Sequence, residues 1–149
     1  MTMEERLDAD LKEAMRSGDV TRKLTIRSVK TAITEAKVSG TEARSLTDQD
    51  VLGIIARQIK QRRDSAAEFT KGGRPDLTEK EEAEIAVLLT YLPEQLDDAA
   101  IRQRAEAVIA ELGVTDLKGM GPVMKRLSGE LRGQADGQTI NRIVRELLS

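Results

Sequence analysis

A chain of 149 residues with no cysteine and no histidine offers no thiol nucleophile, no imidazole base, no disulfide and none of the usual zinc ligand sets. Its only aromatic residues, Phe69 and Tyr91, are too few for stacking platforms, so a nucleic acid would be read through phosphate and shape. The net charge of -2 is unevenly spread: residues 1–75 carry fifteen Lys/Arg against twelve Asp/Glu, residues 76–117 three against eleven, and residues 118–149 six against three.

The first amphipathic stripe is Leu7, Leu11, Ala14 and Met15, ending near Ser17 and Gly18. Asp19 reads as the N-cap of a second helix carrying Leu24, Val29, Ile33 and Ala36, with Gly40 as its stop. Thr47 with Asp50 reads as a capping box opening a long helix from residue 48 to about residue 70. Val51, Leu52, Ile55, Ile59, Ala66 and Phe69 form its apolar face, and Arg57, Lys60, Gln61, Arg63 and Asp64 its polar one. Gly72, Gly73, Arg74, Pro75 and Asp76 force a turn. Thr78 with Glu81 reads as a second capping box, starting a helix through Tyr91 with Glu79, Glu81 and Glu82 in its first turn.

Leu92-Pro93-Glu94-Gln95-Leu96 marks a boundary between two units, because proline ends a helix and restricts the residue before it. Beyond it, Asp97 or Asp98 caps a helix carrying Ile101, Ala105, Val108, Ile109 and Leu112, stopped by Gly113. Pro122 suits the first turn of the next, with Val123, Leu127 and Leu131 inside and Gly133 beyond. Asp136 caps the last, burying Ile140, Ile143, Val144 and Leu147. The expected fold is all-α: an N-terminal domain of about four helices over residues 1–92, then a small three-helix domain over residues 93–149.

The chemistry concentrates in the last third, where Lys118-Gly119-Met120-Gly121 opens one helix and Ala135-Asp136-Gly137 another. Helix starts present free backbone N–H groups, and glycine lets a phosphate approach them. Lys118, Lys125, Arg126, Arg132, Arg142 and Arg145 are the candidate phosphate contacts, with Gly119, Gly121 and Gly137 setting the backbone approach. Against this stands the plainer reading of ordinary helix boundaries under a solvated basic face. Met120 and Met124 are expected to fill the core between the last two helices. Lys60, Arg62 and Arg63 form a second basic run, usually no more than a solvated helical face.

These residues also carry a family resemblance. Leu24-Thr25-Ile26-Arg27-Ser28-Val29-Lys30, Lys60-Gln61-Arg62-Arg63-Asp64-Ser65, Gly73-Arg74-Pro75-Asp76-Leu77, Tyr91-Leu92-Pro93-Glu94-Gln95-Leu96, Met120-Gly121-Pro122-Val123-Met124 and Ala135-Asp136-Gly137 occur in order and span most of the chain. In these stretches the sequence resembles the YqeY family, whose domain recurs as the tail of the GatB subunit of tRNA-dependent amidotransferases. Lys118-Gly119 departs from the acidic residue and methionine the family often has before its Met-Gly turn. The resemblance implies an N-terminal helical domain and a C-terminal three-helix domain. It further implies tRNA as ligand, with a protein partner in tRNA-dependent amidation. By homology such a chain would be labelled a carbon–nitrogen ligase with glutamine as amido-N-donor.

Intrinsic catalysis is not expected. No G-x-x-x-x-G-K loop and no Ser-Ser-Lys arrangement occurs, and Ser28 near Lys30 and Ser128 near Lys125 lack an oxyanion partner. The alternative to RNA binding is a protein–protein adaptor whose acidic stretch between Asp76 and Asp116 recruits a basic partner. No cofactor, metal or membrane is expected: EF-hand spacing is missing, and the longest apolar run, residues 85–89, is far short of the roughly 20 a membrane helix needs. Without cysteine or a secretory leader, the expected compartment is the cytoplasm.

Overall fold

The computed structural model of the protein describes residues 1–40 and 44–149. Among these it is all-α, with no strand: α1 (Met3–Ser17), α2 (Val20–Lys37), α3 (Asp48–Lys71), α4 (Pro75–Leu89), α5 (Asp98–Leu112), α6 (Met120–Glu130) and α7 (Gly137–Leu148). The helices divide between two compact units, Met1–Leu92 and Pro93–Ser149. No helix of the described residues is long and apolar enough to cross a membrane.

In the first unit α1 and α2 form an antiparallel hairpin. The turn works because Gly18 takes φ 73 at the end of α1 and the Asp19 carboxylate accepts the Arg22 N–H at the start of α2. Three ion pairs lace the hairpin: Asp10 with Arg22 at 3.2 Å, Asp8 with Lys30, and Glu4 with Lys37 at 2.5 Å. α3 opens with the expected capping box between Thr47 and Asp50 and lies antiparallel to α4. The core gathers Leu7, Ile26, Val29, Ile33, Val51, Ile55, Ile59, Ile85, Leu88 and Tyr91. Tyr91 donates its hydroxyl to Asp10 Oδ2 at 2.5 Å, and the Arg6 guanidinium lies 4.6 Å from the ring centre.

Several local expectations need correction, among them Met15 and Leu112, which the apolar stripes of α1 and α5 place inside but which are exposed. α2 stops at Lys37, before Gly40. Leu24 is five residues from Val29, off the stripe of Ile26, Val29 and Ile33, and is exposed. The capping box at Thr78 and Glu81 does not form, because Pro75, with φ already set for a helix, starts α4 three residues earlier. The Thr78 hydroxyl instead faces Thr70 and the Ala66 and Arg74 carbonyls, and Glu81 lies inside the helix facing α3. At the C-terminus Leu148 is buried, whereas Leu147 is partly exposed.

The second unit is a three-helix bundle around Ile101, Ala105, Val108, Val123, Leu127, Leu131, Ile140, Ile143, Val144 and Leu148. Asp97 is the N-cap of α5, Gly113 ends it with φ 66, and Asp136 caps α7. Met120 and Met124 pack partly buried against this core, as their spacing predicts.

Candidate functional site

The surface of the second unit is organised by two chains of alternating charge. The first links α5 to α6: Arg126 lies between Glu111 and Glu130 (3.2 Å to the latter), and Glu130 also meets Arg104 at 2.5 Å. The second links α5 to α7: Arg142 reaches Asp98 at 2.7 Å and Glu146 at 3.2 Å, while Glu146 also accepts from Arg102 at 2.6 Å. The charges shift as this predicts. The Arg104 hydrogen bond, with that of Arg126, holds Glu130 below the usual carboxylate range, and Arg102 and Arg142 do the same to Glu146. The Asp98 and Glu146 carboxylates raise Arg142 further above its ordinary value.

All six predicted cations are exposed, but the ion chains divide them. Arg126 and Arg142 are already held by carboxylates, so their charge is largely compensated within the bundle. Among the described residues the Arg145 side chain makes only a neutral contact, donating from Nε to Asn141 Oδ1 at 3.1 Å. Among the described residues Lys118, Lys125 and Arg132 have no carboxylate partner for their side chains. These three recur at seven-residue intervals, two helical turns each, along α6 and its flanks. An incoming anion would meet these cations without first displacing a carboxylate.

The glycines separate as well. A short 3-10 turn over Leu117–Gly119 precedes α6, with the Asp116 carboxylate accepting the Lys118 N–H at 3.0 Å. The Gly119 N–H donates to the Asp116 carbonyl at 3.1 Å and the Met120 N–H to the Leu117 carbonyl. Two donors expected to be free at this helix start are therefore used within the turn. A Cβ on residue 119 would stand 2.4 Å from Val114 Cγ1, so packing alone explains the glycine. Gly137 has open space, but the Asp136 carboxylate beside it caps the helix, accepting the Thr139 N–H at 3.0 Å, and opposes a second anion. Gly121 has open space and no capping carboxylate, so of the three it best suits close backbone approach.

In the first unit the second basic run does not stay together. Arg62 turns inward, its Nη1 against the Glu84 carboxylate and 3.7 Å from Glu81, and its Nη2 3.3 Å from Ser28 Oγ. Its Nε is buried without a partner among the described residues. The signal was present in the periodicity: Ile55, Ile59, Arg62 and Ala66 share one face of α3, so Arg62 occupies a core position.

The model of a family described as Yqey-like protein matches residues 4–148. Similar proteins carry the name "Altered inheritance of mitochondria protein 41, mitochondrial". That of Pyrenophora tritici-repentis is 34% identical over 96% of this chain and 79% of its own length. That of Kluyveromyces lactis is 36% identical over 84% of this chain and 66% of its own length. That of Lachancea thermotolerans is 33% identical over 80% of this chain and 62% of its own length. The chain thus spans less than two thirds of the length of several relatives. The expected cytoplasmic placement is overturned by these names: mitochondrial proteins share the same sequence pattern, and a lack of cysteine records the absence of disulfides, not a compartment.

Proposed function

The chain belongs to the YqeY-like family, and from that premise we propose that it is an RNA-binding accessory module, without chemistry of its own, whose second unit holds tRNA by its phosphates. One observation carries the reading: Lys118, Lys125, Arg132 and Arg145 are exposed and, among the described residues, not held by carboxylates, while neighbouring arginines are consumed in ion chains. Cations left free beside a tightly paired surface suit a polyanion, because each phosphate contact releases counterions. The scarcity of aromatic side chains supports recognition by backbone and shape over base stacking. Amide transfer, if the protein takes part in it, belongs to a partner, since this chain brings neither cysteine nor histidine.

The test is a salt titration of binding to total tRNA by fluorescence anisotropy, using the full chain. Replacing Lys118→Glu/Lys125→Glu removes two proposed contacts, and log K against log salt should flatten by roughly 1.5 to 2. Arg126→Ala, which removes a cation already paired, should change the slope far less. An absence of binding at low salt would remove RNA from consideration.

A further inference from the structure

The α1–α2 turn of the first unit carries an apolar surface that the RNA reading does not use. Val20 and Leu24 stand one helical turn apart on α2 and are 58% and 49% exposed, and Met15, near the end of α1, is 54% exposed. Met15 and Val20 wall a notch of about 160 Å³, completed by Ala14, Gly18, Asp19 and Lys23. Large apolar side chains grouped in this way mark interaction surfaces more often than isolated ones do.

The rim is basic. Residues 20–34 contain Arg22, Lys23, Arg27 and Lys30 and no acidic residue. Arg16 pairs with Glu13, Arg22 with Asp10 and Lys30 with Asp8. Among the described residues this leaves Lys12, Lys23 and Arg27 without a carboxylate. The acidic side chain in the notch, Asp19, is engaged in capping α2, where it accepts the Arg22 N–H at 3.0 Å. Lys23 and Arg27 lie one turn apart beside Val20 and Leu24, so the apolar stripe and the free cations run in parallel.

We propose that this face docks an acidic amphipathic helix of a protein partner. One apolar side chain of that helix enters the notch, the next lies against Leu24, and its carboxylates meet Lys23 and Arg27. Charge complementarity sets the sign of the partner, and the helical spacing of Val20 and Leu24 matches apolar side chains at i and i+4. The concave notch favours a projecting side chain over a lipid surface, and the apolar centre does not suit RNA. The polarity is opposite to that of an adaptor recruiting basic partners through residues 76–117. The proposal does not rest on the RNA reading, because it uses different residues in a different unit.

The probe is a synthetic helical peptide with leucines at i, i+4 and i+7 flanked by glutamates, compared with its lysine-flanked counterpart. Binding to the full chain is followed by anisotropy and by the NMR signal of the Met15 methyl group. The acidic peptide should bind and shift that signal, and the basic one should not. Lys23→Glu/Arg27→Glu, at one half-buried and one exposed position, should weaken binding about tenfold or more without changing helix content. Leu24→Asp should weaken it comparably. Equal binding of both peptides, binding of neither, or an unmoved Met15 signal overturns the proposal. So does binding to phosphatidylglycerol vesicles in place of the peptide, or a dimer in sedimentation that the same double variant dissociates.

Discussion

The side chain of Val114 fills the space where a Cβ on residue 119 would stand, with Val114 Cγ1 2.4 Å from that position. Contacts this short force the neighbour or the backbone to move, so the sequence at 119 answers to packing of the turn between α5 and α6. Gly121, two residues on, meets nothing within 4 Å of its own Cβ position. The two glycines, alike in sequence, answer to different constraints.

Gly119→Ala should therefore destabilise the fold by about 1–3 kcal/mol, the usual range for overpacking a filled site. Gly121→Ala should leave stability unchanged or raise it by up to about 1 kcal/mol, because alanine is the better helix former. Urea denaturation followed by circular dichroism separates the two. If the backbone at Gly121 also approaches a phosphate, Gly121→Ala should weaken tRNA binding while the fold stays intact, a combination Gly119→Ala cannot produce.

The pair of Arg62 and Glu84 predicts a larger loss. The two side chains are 18% and 10% exposed, so removing one leaves the other charge poorly solvated between α2, α3 and α4. Arg62→Ala should cost about 3 kcal/mol or more. Lys60→Ala, two residues away on the solvent side, should stay within about 0.5 kcal/mol of the parent. Equal effects in denaturant titrations would show that the basic run acts as one exposed face.

The contrast shows which parts of the molecule were legible in the sequence. Helix starts with a local capping side chain, at Asp19, Thr47 and Asp136, follow from the nearest few residues, and the structure has them. At Thr78 two local rules compete, and the fixed φ of Pro75 takes the helix start before the capping box can form. Arg62 falls on the core face by periodicity, although its charge points to the solvent side. The division of the six C-terminal cations was legible only in part: Arg126 with Glu130 and Arg142 with Glu146 are spaced i,i+4, whereas Asp98, Arg102, Arg104 and Glu111 become neighbours only through the packing of α5 against α6 and α7. The constraint on Gly119 comes from Val114, packed against it across a turn that no local motif encodes.

Tyr91 supplies a prediction in alkali. Burial, then the hydrogen bond to Asp10, pushes its pKa well above the ordinary 10.0. The unfolded chain therefore loses this proton first. The stabilisation is fully present below pH 10 and is lost progressively as pH rises toward the higher folded value. Tyr91 is the chain's one tyrosine and there is no tryptophan, so absorbance at the phenolate band reports on it directly. The folded protein should show no phenolate at pH values where the denatured chain is half ionised. Tyr91→Phe should remove this difference and cost about 1 kcal/mol at neutral pH through loss of the Asp10 hydrogen bond.

A gain of function tests the role of the ion chains. Glu111 and Glu130 both hold Arg126, so Glu111→Gln/Glu130→Gln releases this α6 cation, together with Arg104 on α5, which Glu130 also pairs. If α6 faces RNA, tRNA binding should tighten and the salt slope should steepen by roughly 1, the contribution of one more phosphate contact. Acid should imitate this only weakly. Arg104 and Arg126 hold Glu130 below the usual range, so its stabilising contribution is present above the ordinary glutamate value and is lost only as pH falls through the lowered one. Binding measured between pH 6 and 8 should thus be steady in the parent and uniformly stronger in the double variant. Unchanged affinity in that variant would place Arg126 off the contact surface and confine the proposed interface to Lys118, Lys125, Arg132 and Arg145.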